Sequence, residues 1–154
     1  MEKVLFICVH NSARSQMAEE LLKKYGNAEF EVESAGFEPT EINPLVVEVM
    51  KEEGIDLSSK KTQSVFELFR DGKIFNYVIT VCDSSTDKDC PIFPGIVHRM
   101  NLPFEDPAAL EGSEKEKLAK TRMIRDSIKY TVQQFAAAVE SGTIKKFCTL
   151  QECV

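Results

Sequence analysis

A chain of 154 residues with 43% apolar and 29% charged side chains suffices for one domain around one core, and it lacks the bias of a disordered or fibrous protein. Its net charge of -6 argues against a surface for nucleic acid or anionic membrane, so an anionic ligand needs a local device to hold it. No apolar run reaches membrane-spanning length, and MEKVLFICV lacks the basic region and cleavage site of a signal peptide. The expectation is a cytoplasmic protein without membrane contact, a monomer by default.

The elements alternate along the chain. Lys3 to Val9 is a short, nearly continuous apolar run, as in a strand buried on both faces. From Ser15 to Tyr25 the apolar positions Met17, Ala18, Leu21, Leu22 and Tyr25 make a helical face, and Gly26 stops it. Phe30 to Ala35 alternates like a strand. Asn43 and Pro44 read as N-cap and first residue of a helix with the stripe Leu45, Val46, Val49 and Met50, ended by Gly54. Ser64 with Glu67 reads as a capping box for a short helix ending near Gly72. Phe75 to Val81 is a third strand and Ile96 to Met100 a fourth. Ser113 with Glu116 caps a long final helix whose face is Leu118, Ile124, Ile128, Val132, Phe135 and Val139. This alternation predicts an α/β fold, a parallel sheet with helices on both faces. Residues 1–140 form its single domain and residues 141–154 a C-terminal tail. Ligands in such folds bind beyond the carboxyl ends of the strands, where Cys8, Cys82 and Asp106 are all expected.

Five cysteines, at 8, 82, 90, 148 and 153, are an odd count that points to thiol chemistry more than to a disulfide framework. For zinc, only Cys148 and Cys153 approach ligand spacing, so no metal site is expected. Those two lie beyond the final helix and read as an inert or weakly ordered tail, an extra electron relay or a resting disulfide being the alternatives.

The segment Cys8-Val9-His10-Asn11-Ser12-Ala13-Arg14-Ser15 lies between a strand and a helix. A loop there can turn successive N–H groups inward as an anion nest, and the helix N-terminus adds partial positive charge. Arg14 offers a planar fork of donors to two oxygens of a tetrahedral anion. The same field favours a Cys8 thiolate. Asn11 suits a left-handed position, and Ser12 and Ser15 offer hydroxyls to the thiolate or the helix end. His10 is either a neutral loop residue or a group that tunes the thiol.

The run CVHNSARSQMAEELL, with ESAGFEPTEINP, VITVCD, DCPIFPG and FEDPA, resembles the low-molecular-weight protein tyrosine phosphatase superfamily. Within it, the chain resembles the thioredoxin-coupled arsenate reductases over nearly all of residues 2–140. That resemblance implies a four-stranded parallel sheet flanked by helices. It implies Cys8 as nucleophile, Arg14 as oxyanion ligand and Asp106, before Pro107, as general acid. Residues 9–15 would then bind arsenate.

A phosphatase needs only water to release its product, whereas reducing arsenate takes two electrons, which two thiols can supply as a disulfide. By the resemblance, Cys82 displaces arsenite from Cys8 and Cys90 passes the disulfide outward to thioredoxin or another dithiol reductant. Between them lies DSSTDKD, which has no large apolar side chain to hold it in place. This spacing exceeds the family's by one residue. Ala108, Ala109 and Leu110 follow Asp-Pro where the phosphatases carry aromatic residues, and Gln16 follows the reductase pattern. The alternatives are a low-molecular-weight tyrosine phosphatase, or a non-catalytic redox or oxyanion sensor; residual phosphatase activity is compatible with the first reading. Some family members bind potassium beside the loop. Asn11, Glu19 and Ser34 match three of those positions, but SSKKTQS places Gln63 and Ser64 where the remaining acidic ligand belongs, so at most a weak potassium site is expected.

Overall fold

A computed structural model describes residues 2–26, 30–82, 94–95, 97–145 and 147, and the main chain of 152–153. Four parallel strands form the body of the sheet: β1 (Glu2–Cys8), β2 (Phe30–Gly36), β3 (Tyr77–Thr80) and β4 (His98–Asn101). A two-residue strand, β5 (Glu152–Cys153), lies antiparallel to β4, giving the order β2-β1-β3-β4-β5. The four parallel strands match expectation. The fifth was not expected: it brings part of the C-terminal segment onto the edge of the sheet, with Cys153 beside Met100.

β1 is central, and Val4 to Cys8 are all buried, as its apolar run required. Its alternate residues feed two cores. Val4, Phe6 and Cys8 face one side, where α1 (Arg14–Tyr25), α2 (Pro44–Lys51) and α4 (Glu114–Ser141) contribute Met17, Leu21, Val46, Met50, Ile128 and Phe135. Leu5 and Ile7 face the other, against Val65 and Leu68 of the short α3 (Val65–Arg70). The strand order reverses between β1 and β3, the switch point where an open α/β sheet leaves a crevice.

The caps behave largely as read. Asn43 accepts from the Leu45 N–H with Pro44 behind it, and Ser113 accepts from the Glu116 N–H. Ser64 instead accepts from the Phe66 N–H, one residue before its expected partner, which is enough for a helix of six residues. α2 stops at Lys51 and the chain then turns through Gly54, whose φ of 74° is left-handed. β3 is shorter than its apolar run, but Phe75 and Val81 remain buried beyond its ends. β4 is shifted to His98–Asn101, and Ile96 lies outside the described residues.

Candidate active site

The loop from Cys8 to Ala13 is anchored by its carbonyls. Those of Cys8, Val9, His10 and Ser12 accept from the N–H groups of Phe37, Glu38, Thr40 and Asn43, at 3.3, 2.8, 3.0 and 2.9 Å. With the carbonyls committed to the 37–43 segment, the peptide planes turn their N–H edges the other way, as an anion nest requires. Among the described residues, no N–H from Val9 to Ala13 donates to a main-chain carbonyl. α1 starts with no side-chain cap on Ala13, so its first-turn N–H groups add to the same positive site. Gly36 makes this closeness feasible: a Cβ there would lie 2.7 Å from the Asn11 nitrogen and 2.8 Å from the Val9 oxygen.

Asn11 is the keystone of the loop. It is fully buried and has a φ of 53°, a left-handed conformation that asparagine tolerates better than most residues. Its Nδ2 donates to Ser15 Oγ at 2.8 Å and Ser34 Oγ at 2.9 Å, and its Oδ1 accepts from Gln63 N and Gln16 Nε2, both at 3.0 Å. The amide is thus fixed in orientation by partners of both kinds. Cys8 Sγ lies 2.9 Å from Ser15 Oγ. Because Asn11 already donates to that hydroxyl, the Ser15 proton is free to point at the sulfur, an arrangement suited to a thiolate. His10 is tied through Nδ1 to the Glu38 carbonyl at 3.0 Å, so its ring is committed to the 37–43 segment.

Arg14 is nearly buried. Its Nη1 donates to the Phe104 carbonyl at 3.1 Å, and its Nη2 lies 3.6 Å from Asp106 Oδ2. These contacts aim the guanidinium and leave other N–H donors of its five for an anion. Asp106 caps the 3-10 turn Pro107–Ala109 by accepting from the Ala108 N–H through Oδ1, which leaves Oδ2 directed at Arg14. At 3.6 Å that pair is an ion pair longer than a hydrogen bond. Cys82, just beyond β3, is buried in the same cluster as Cys8. Val81 donates to the Ile7 carbonyl at 2.9 Å, so the chain reaches Cys82 beside the loop.

The structure therefore brings together Cys8, Asn11, Arg14, Ser15 and Asp106, with Cys82 at the adjoining strand end. Cys90 and Cys148 lie outside the described residues. Sequence reasoning missed the Phe104 carbonyl, the clamp at Gly36 and Lys60. Phe104 lay within FEDPA and Lys60 within SSKKTQS, but neither carries a recognisable chemical signature of its own.

Residues 3–145 match the family described as low molecular weight phosphotyrosine protein phosphatase. The chain belongs to that family. It is 40% identical over 136 residues to an arsenate reductase of Bacillus subtilis (strain 168), covering 86% of this chain and 94% of that one. Among solved structures, it is similar to an arsenate reductase from Archaeoglobus fulgidus DSM 4304 (TM-score 0.69, 28% identity, 87% of this chain and 98% of that one). It is also similar to a thioredoxin-dependent arsenate reductase of Corynebacterium glutamicum (TM-score 0.56, 32% identity, 87% of this chain and 63% of that one). The arsenate reductases thus include both the sequence relative and the two structures. No helix among the described residues is long and apolar enough to cross a membrane, and none of their His, Cys, Asp and Glu side chains gather in threes as a metal site.

The positions implied for potassium do not fit that ion. Glu19 Oε1 accepts from Ser34 Oγ at 2.6 Å, and Glu19 Oε2 takes the ammonium groups of Lys23, at 2.5 Å, and Lys60. Asn11 Oδ1 is filled by two donors. The buried side-chain acceptor left without a partner among the described residues is Gln16 Oε1; one neutral oxygen does not replace a cage of oxygen ligands. Beside Glu19, burial works against a charged Glu20, but the hydrogen bond and charge of Lys60, with Lys23, hold its carboxyl below the ordinary range.

Proposed function

We propose that the chain is an arsenate reductase in which two thiols of its own supply the two electrons. The observation that carries this reading is the pair of buried cysteines at adjoining strand ends: Cys8 beneath an anion nest and a helix N-terminus, and Cys82 in the same cluster. A hydrolase would use the first and have no need of the second.

In the proposed cycle, arsenate sits on the N–H groups of residues 9–15 and on the Arg14 fork. The Cys8 thiolate attacks arsenic, and Asp106 protonates the departing oxygen, which leaves as water. The Cys82 thiolate then attacks Cys8 Sγ. The sulfur–arsenic bond breaks, its electron pair stays on arsenic, and arsenite leaves behind a Cys8–Cys82 disulfide. Cys90 attacks Cys82 and releases Cys8 as thiolate. An external dithiol, thioredoxin or a protein of that kind, reduces the Cys82–Cys90 disulfide. No step passes through a potassium ion. A monomer in the cytoplasm, where thiols are kept reduced, completes the proposal.

Arsenite release coupled to a thioredoxin system tests it. The unaltered chain turns over, Cys8→Ser does not, and Cys82→Ser still binds phosphate but stops after the first attack. Full turnover by Cys82→Ser would sink the relay while leaving the oxyanion site intact. Mass mapping after a single arsenate turnover identifies which sulfurs become joined, including those at 148 and 153. Hydrolysis of an aryl phosphate is expected only as a slow side reaction that persists without Cys82 and Cys90.

A further inference from the structure

We propose that Lys60 is a positioning residue whose ammonium group takes the place of a loose alkali cation beside the oxyanion loop, so that this loop binds its anion without potassium. The inference rests on reading residues 8–15 as an oxyanion loop. It does not depend on which oxyanion is the substrate.

A directed series of hydrogen bonds carries the argument. Lys60 Nζ donates to Glu19 Oε2 and, at 2.6 Å, to Glu20 Oε1. The other Glu19 oxygen accepts from Ser34 Oγ at 2.6 Å. With its proton committed there, Ser34 Oγ accepts from Asn11 Nδ2 at 2.9 Å, and the same amide nitrogen donates to Ser15 Oγ at 2.8 Å. Ser15 Oγ lies 2.9 Å from Cys8 Sγ. Each link fixes the next donor's direction, from a lysine on the α1 carboxylates to the nucleophilic sulfur.

Charge requires a cation at the head of this series. Glu19 is 4% exposed, and an uncompensated carboxylate two links from Asn11 would oppose both the thiolate and an incoming oxyanion. Lys23 also meets Glu19, but its side chain is 43% exposed against 25% for Lys60, so water screens it more. Lys60 also belongs to a segment bound to the loop. The Gln63 N–H donates to Asn11 Oδ1 at 3.0 Å, and the Gln63 carbonyl accepts from Gly36 N at 2.9 Å. The ammonium is therefore supplied intramolecularly, at an effective concentration that a free ion must match from solution.

The test uses the reduced full chain, with inorganic phosphate as probe, in potassium chloride and in choline chloride at equal ionic strength. Calorimetry reads phosphate affinity, and iodoacetamide reads the pH dependence of Cys8 alkylation. The unaltered chain is expected to give the same affinity in both salts. Lys60→Met should bind phosphate about fivefold more weakly in choline, the scale of one partly screened charge contact, and its alkylation profile should move to higher pH. Potassium should restore both, and Lys60→Arg should stay near the unaltered chain. The proposal is overturned if the unaltered chain binds phosphate more than about threefold better in potassium. It is also overturned if Lys60→Met matches the unaltered chain in choline, or if its loss does not respond to potassium. Should Lys60→Met fail to fold, Lys60→Gln takes its place, and should both fail, the two-salt comparison on the unaltered chain decides. Absence of arsenite release with intact phosphate binding would defeat the reductase reading and leave this inference standing.

Discussion

The oxyanion loop and the Asp106 turn meet at Arg14, yet they are held by different means. The loop is over-determined. Four of its carbonyls are bonded to the 37–43 segment, and Asn11 makes four side-chain hydrogen bonds within the core. The Asp106 turn is a single 3-10 turn, whose acid is 37% exposed and joined to the loop by one ion pair of 3.6 Å. A binding cradle gains from rigidity, because donors aimed in advance need no reorganisation when charge develops. In the proposed cycle Asp106 is a proton donor, and a proton donor gains from latitude, because it must approach an oxygen that moves as the bond breaks. Damage to the turn should therefore appear in rate, and damage to the loop in stability and binding.

The largest separation is expected from Asp106→Asn. It should lower turnover by about 10²–10⁴-fold, the range of a positioned general acid, while thermal unfolding stays within a degree or two of the unaltered chain. A comparable loss in unfolding temperature would show that the turn is structural and break the contrast. Arg14→Lys keeps the charge but loses the planar fork. Phosphate affinity measured by calorimetry should fall about 10- to 100-fold, as expected when a charge-assisted hydrogen bond is lost.

Gly36→Ala attacks the loop from below. The added Cβ would meet backbone of Val9 and Asn11, which cannot move aside as a side-chain tip can. Denaturant unfolding should show a loss of about 1–3 kcal/mol, with weaker phosphate binding. An unchanged midpoint would mean that the loop is softer than its hydrogen bonds imply.

The smallest effect is expected far from both regions, where Glu52 joins Arg122 and Arg125 of α4. Hydrogen bonds from Arg122 and then Arg125 bring its carboxyl from 4.5 to about 2. The folded-state value is the lower one, so this contribution is complete above about pH 4.5 and is lost as the pH falls toward 2. The side chain is 39% exposed, so solvent screening limits the effect to under about 1 kcal/mol. Urea unfolding of Glu52→Gln against the unaltered chain at pH 7 and pH 3 should show a small deficit that shrinks in acid.

Much of this contrast was legible in the chain itself. Cys8, Asn11, Arg14 and Ser15 lie within eight residues, and a strand-to-helix turn brings such neighbours together whatever surrounds them. The acid role proposed for Asp106 rests on the resemblance to a family alone, because Asp-Pro by itself reads as a turn, and a turn is what Asp106 caps. Potassium was read from three matching positions. That reading could not register that Lys60, within SSKKTQS, reaches the Glu19 carboxylate itself.

By itself, the sequence determined the alternation of elements, the twice-buried first strand, most of the caps and the strand-to-helix loop of residues 8–15 with its left-handed Asn11. These follow from local periodicity and short-range hydrogen bonding, which a linear reading captures. Tertiary structure decided what lies beneath and beside that loop: Gly36 under its backbone, Phe104 and Asp106 on its arginine, Lys60 on Glu19 and the fifth strand against β4. Each of those contacts joins residues 25 to 92 positions apart. Only the parallel crossovers and the reversal between β1 and β3 bring them into reach.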